Sequence, residues 1–60
     1  MIGYVKQEST QVRVFDEKGA FKFLLNGTLV SYTSTTIIVR QGNTNYMYDE
    51  NNRFLRQWVD

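Results

Sequence analysis

Asp16-Glu17 and Asp49-Glu50 are the only adjacent carboxylates in this 60-residue chain, and paired carboxylates are the smallest set that performs acid and base work without histidine. Each pair, however, runs into turn-forming residues, Lys18-Gly19 and Asn51-Asn52. There an Asp side chain accepts backbone N–H groups, so the pairs read as turn formers ahead of metal ligands or catalysts. Histidine and cysteine are both absent. Ser9, Ser31 and Ser34 therefore have no imidazole to activate them, and thiolate chemistry, disulfides and a Cys/His zinc site are excluded. The four glycines are isolated, at turns or near the start, and form no phosphate-binding loop. The expectation is a protein that is not an enzyme, with no catalytic, cofactor-binding or metal-binding residue.

Two groups of residues are suited to binding. Arg40, Arg53 and Arg56 fall near Tyr46, Tyr48 and Trp58, and arginine stacked on aromatic rings enriches interfaces. Cross-strand packing of Arg on rings along a sheet edge accounts for the same pattern. Arg13, Lys18 and Lys22 lie beside Phe15, Phe21 and Phe23, a combination that neutralises phosphates and stacks on bases in single-stranded nucleic-acid binders. Arg13, Lys18, Lys22, Arg40, Arg53, Arg56 and Trp58 are thus the candidate surface for a partner or a nucleic acid. Seven basic against six acidic residues give a net charge of +1, which opposes the broad basic footprint of a duplex binder.

The elements that must position these groups are strands. Apolar residues recur with period two at Val12/Val14, Phe21/Phe23, Ile37/Val39 and Tyr46/Tyr48, and no stretch keeps a helical period. Turn signals divide the chain. Asn26-Gly27 is the strongest hairpin signal, because a two-residue type I′ turn needs positive φ at both central positions. It predicts Leu25 opposite Thr28, Phe23 opposite Val30 and Phe21 opposite Tyr32. Gly42-Asn43 predicts a second two-residue turn with Val39 opposite Tyr46 and Ile37 opposite Tyr48. Phe15-Asp16-Glu17-Lys18-Gly19-Ala20-Phe21 recurs 33 positions later as Tyr48-Asp49-Glu50-Asn51-Asn52-Arg53-Phe54. Gly19 and Asn52 would carry the left-handed residue of each turn.

These registers predict an all-β domain over residues 1–60, with six or seven short antiparallel strands. The strands form two related three-stranded meanders, residues 10–32 and 36–58, in a small barrel or sandwich, with Thr33-Ser34-Thr35 as a solvated connection and residues 2–6 as the seventh strand. The first meander would show Phe15, Phe21, Phe23, Val30 and Tyr32 on its inner face. The second would show Ile37, Val39, Tyr46, Tyr48, Phe54 and Trp58. Apolar residues then remain on the backs, namely Val12, Val14, Leu24, Leu29, Ile38, Met47 and Leu55. A sheet apolar on both faces normally has both covered, so these seven form the candidate oligomer interface. Strong curvature within one barrel is the alternative.

A chain this short is near the lower limit for folding without staples, which also favours oligomerisation. The expected partner is a second copy or another protein, with nucleic acid as the alternative and no membrane, since no apolar run approaches the roughly 20 residues of a span. The N-terminus is too short and too polar for a signal peptide, and the lack of cysteine suits the cytoplasm. Met1 points to a complete small gene product.

Three resemblances follow from these motifs. Tyr46-Met47-Tyr48-Asp49-Glu50-Asn51-Asn52-Arg53-Phe54 resembles the tyrosine-aspartate repeat of Rhs-type and teneurin-type β-shells, Tyr-x-Tyr-Asp-x-x-Gly-Arg-Leu, with Asn52 for Gly and Phe54 for Leu. That likeness implies a structural hairpin. The run from Val30 to Thr44 is similar to short uncharacterised bacterial, plasmid or phage β-proteins and implies architecture more than activity. More weakly, residues 10–23 resemble the cold-shock pattern, with Val14 in place of its Trp, Ala20 in place of its first Phe and a turn one residue shorter. This likeness implies binding of single-stranded nucleic acid, although the inferred pairing turns Phe21 and Phe23 toward the core.

Overall fold

The computed structural model describes residues 1–60 and contains seven strands and no helix: β1 (Ile2–Glu8), β2 (Gln11–Asp16), β3 (Phe21–Asn26), β4 (Thr28–Tyr32), β5 (Thr36–Gln41), β6 (Thr44–Asp49) and β7 (Phe54–Val59). They form two antiparallel sheets, β1-β2-β3 and β4-β5-β6-β7, packed face to face without closing into a barrel. No helix is long and apolar enough to cross a membrane.

The turns follow their residue types closely. Asp16 Oδ1 accepts the N–H groups of Lys18 and Ala20 at 2.9 and 2.8 Å, and Asp49 Oδ1 accepts those of Asn51 and Arg53 at 2.8 and 2.8 Å. Gly19 and Asn52 take the left-handed conformation at φ 86° and 65°. Gly42 takes φ 61°, and β5 pairs with β6 in the predicted register, Val39 opposite Tyr46 and Ile37 opposite Tyr48.

The Asn26-Gly27 hairpin does not form. β3 pairs with β2 alone and β4 pairs with β5, so the pairings predicted between Phe21–Leu25 and Thr28–Tyr32 are absent. Gly27 sits at φ 128°, Asn26 is not in the left-handed region, and the Gly27 N–H donates to the Thr10 carbonyl at 2.7 Å. A Cβ on Gly27 would meet the Arg40 carbonyl oxygen at 2.6 Å. Glycine is thus needed because the backbone crosses from one sheet to the other in contact with β5. The first meander is β1-β2-β3, not residues 10–32, and Thr33-Ser34-Thr35 closes the β4–β5 hairpin. Thr33 Oγ1 accepts the Thr35 and Thr36 N–H groups there, at 3.2 and 3.1 Å.

The 33-residue repeat extends through whole meanders. Val5 opposite Val14 and Val14 opposite Phe23 correspond to Ile38 opposite Met47 and Met47 opposite Arg56. Each meander also carries a bulge at the same place. Val14 faces Phe23 but Phe15 faces Phe21, leaving Lys22 unpaired; Met47 faces Arg56 but Tyr48 faces Phe54, leaving Leu55 unpaired. One extra residue inverts the alternation beyond it.

The core lies between the sheets and comprises Ile2, Val12, Val14, Leu25, Ile37 and Val39, with Val5, Phe23, Leu29, Tyr46 and Tyr48 packed around it. The predicted inner face of the second meander holds for Ile37, Val39, Tyr46 and Tyr48. Trp58, beyond the bulge, pairs with Asn45 and lies on the opposite face. In the first meander the expected faces are largely reversed. Val12 and Val14 point inward with Phe23, whereas Phe15 and Phe21 share the outer face and Phe21 is 55% exposed.

Candidate functional site

No pocket indents the surface and no group of three or more acidic, histidine or cysteine side chains converges on one point. Exposed apolar side chains lie on the outer sheet faces and also at Val30, Tyr32, Phe54 and Val59. On the β1-β2-β3 sheet, β1 brings Tyr4 opposite Phe15 and β3 brings Phe21 to the same place. Tyr4 and Phe15 stack with centroids 4.5 Å apart, and Phe21 meets Phe15 edge on at 6.0 Å. Tyr4 is 45% exposed and Leu24, farther along, 39%.

Cations border these rings. The Arg13 guanidinium stands 6.0 Å from the Phe21 ring centroid, and Lys6 lies directly opposite Arg13. Glu8 engages both, Arg13 through Nε and Lys6 through Nζ at 3.3 Å. These hydrogen bonds, from Arg13 first and Lys6 second, hold the Glu8 carboxyl below its ordinary range.

On the four-stranded sheet the outer face carries Ile38, Arg40, Asn45, Met47, Arg56 and Trp58, linked by the pairings of β5 with β6 and β6 with β7. The Arg56 guanidinium lies 4.9 Å over the Trp58 ring. Asp60 pairs with Arg40 through Nη2 and accepts from Asn45 Nδ2 at 3.3 Å. Asn45 is buried beneath this layer. That role escapes sequence reading, because only the fold brings Asp60 beside β5.

The predicted interface residues separate. Val12 and Val14 are fully buried in the chain's own core and offer no surface, while Leu29 is half-buried and packs against that core. The back-face expectation rests on placing Phe15, Phe21 and Phe23 together inside; the bulge at Lys22 instead turns Phe23 inward with Val14 and Phe21 outward with Phe15, and Leu29 pairs with Val39, not Leu24. Leu24 remains on the outer face of the first sheet, Ile38 and Met47 are half-buried on that of the second, and Leu55, the unpaired bulge residue, is 48% exposed.

The basic candidates divide likewise. Arg13 joins the Tyr4–Phe15–Phe21 group, Lys18 lies in an exposed turn, and Lys22 is the other bulge residue. Arg40, Arg56 and Trp58 share one face, but Tyr46 and Tyr48 turn to the core and Arg53 stands in the exposed turn before β7. The expected cluster of three arginines with three rings is therefore split across the sheet. Tyr4 is the functional candidate that sequence reading missed. Its signal was the Ser9-Thr10 turn, since Ser9 at φ 56° occupies the place that Gly42 holds 33 positions later. Compared with protein-family models, curated proteins and solved structures, the chain matches none.

Proposed function

We propose that this protein is a self-association module, a homo-oligomer formed through its outer sheet faces, and that it acts by binding and not by turnover. The observation that carries this reading is the exposure of Tyr4, Phe21 and Leu24, at 45%, 55% and 39%, on one continuous face. An aromatic side chain buries about 150–250 Å² when covered in full, so rings already about half covered bring roughly half of that each to an interface, at roughly 25 cal/mol per Å² of apolar area, beside a core of six residues. Small domains gain stability from such association when they lack disulfides and metals. Light scattering across a concentration series tests it. A mass that rises with loading is expected, and a monomer at all micromolar concentrations would sink the reading.

A second reading is favoured by one particular arrangement. The Tyr4–Phe15 stack, with Phe21, Arg13 and Lys6 beside it, resembles a platform for bases with cations for phosphates. Titration with a labelled single-stranded oligonucleotide at low salt distinguishes it. Saturable binding lost on Phe21→Ala, in a protein that still folds, supports this reading, and no binding removes it.

A further inference from the structure

The two meanders share their register, turns and bulges, yet they do not use the same face to pack. In the first, Val12, Val14 and Leu25 point into the core. Their counterparts 33 positions later, Asn45, Met47 and Trp58, lie on the outer face of the second sheet. In the second, Ile37, Val39 and Tyr48 point into or pack against the core. Their counterparts Tyr4, Lys6 and Phe15 lie on the outer face of the first sheet. A two-fold relation would bury the same face of both meanders, whereas this relation is polar, one unit's front on the next unit's back.

A polar stack leaves at each end a face of the kind that is covered in the middle. Resting on the association reading above, we propose that copies of this chain join head to tail, the outer face of the four-stranded sheet seating on the outer face of the three-stranded sheet of the next copy. The chemistry of the two faces suits this. Ile38, Met47 and Trp58 stand where Val5, Val14 and Leu25 stand in the covered interface, so apolar character is kept at three central places. On the receiving face, Tyr4, Phe15, Phe21 and Leu24 supply the apolar ground. Arg56 replaces Phe23, and the stacked Tyr4–Phe15 rings provide π-faces on which a guanidinium is stabilised. Lys6 and Arg13 are partly neutralised by Glu8. Because the contact is heterologous, it does not close at two copies, and the product is a chain of subunits or a ring.

Paired blocking variants test the direction. Phe21→Lys closes the receiving face and Met47→Lys the donating face, with Leu24→Lys and Ile38→Lys as replacements if either fails to fold by circular dichroism. Lysine at both places prevents accidental ion pairing between variants. The wild type is expected to grow past two chains with concentration, each variant alone to remain a monomer, and an equimolar mixture to give a species of two chains and nothing larger. A wild-type mass that stops at two, or one variant that still pairs alone while the mixture forms no mixed pair, would overturn head-to-tail joining and leave association intact. A wild-type monomer throughout removes the association reading and this one with it.

Discussion

Tyr4 lies flat on Phe15, with ring centroids 4.5 Å apart and planes 6° from parallel, on a face turned to solvent. Thirty-three positions on, Ile37 and Tyr48 are paired in the same register and turned to the core. Two places equivalent in the repeat thus differ in what covers them, one pair buried against the other sheet and one pair left on an outer face.

Ile37→Ala is expected to cost about 3 kcal/mol, because it empties a fully buried site. Tyr4→Ala is expected to cost about 1 kcal/mol, mainly the lost aromatic pair. Urea midpoints of dilute monomer check this, and equal losses at the two places would contradict the assignment of inner and outer faces.

At the crossing, Gly27→Ala is expected to cost about 3 kcal/mol, through a glycine-only backbone conformation and a clash with the Arg40 carbonyl. Gly19→Ala adds a Cβ in open space, so only the left-handed conformation is penalised, at about 1 kcal/mol. Thermal unfolding of the two variants side by side measures the difference. A Gly19 effect as large as that of Gly27 would show that the crossing has no special constraint.

Acid should weaken the fold. The Ala20 and Lys18 N–H groups hold the Asp16 carboxyl below its ordinary range, and Arg13 and Lys6 do the same for Glu8. Carboxyls depressed in the folded state stabilise it fully above their unfolded values, about pH 4, and that contribution is lost as pH falls through the lower folded values. Stability measured from pH 7 to pH 2 should therefore decline below about pH 4–5. Asp16→Asn should flatten that decline, and an unchanged acid limb in this variant would remove Asp16 from its causes.

Salt separates the two binding readings. The two outer sheet faces carry like charge, with Lys6 and Arg13 outnumbering Glu8 on one and Arg56 in excess of the Arg40–Asp60 pair on the other. Sodium chloride near 1 M shortens screening to about 3 Å and should strengthen self-association. Oligonucleotide binding by the same aromatic face would weaken instead. Sedimentation at low and high salt gives the sign, and association that weakens as salt rises would count against like-charged faces meeting.

Much of this architecture was legible in the residues. Period-two alternation determined the strands, Asp16 with Gly19 and Asp49 with Asn52 determined two matching turns, and Gly42-Asn43 determined the β5–β6 register, all through bonds between chain neighbours. Which face each residue serves was decided elsewhere. Asn26-Gly27 carries a hairpin signal, yet the Gly27 N–H bond to Thr10 and the close approach to Arg40 draw the chain into the other sheet. Bulges at Lys22 and Leu55 then send Phe21 and Phe23, and Phe54 and Trp58, to opposite faces. Local sequence sets backbone conformation and turn type. Sheet membership and facing depend on partners distant in the chain, so only the tertiary structure decided that Tyr4, Phe15 and Phe21 gather on one outer sheet face.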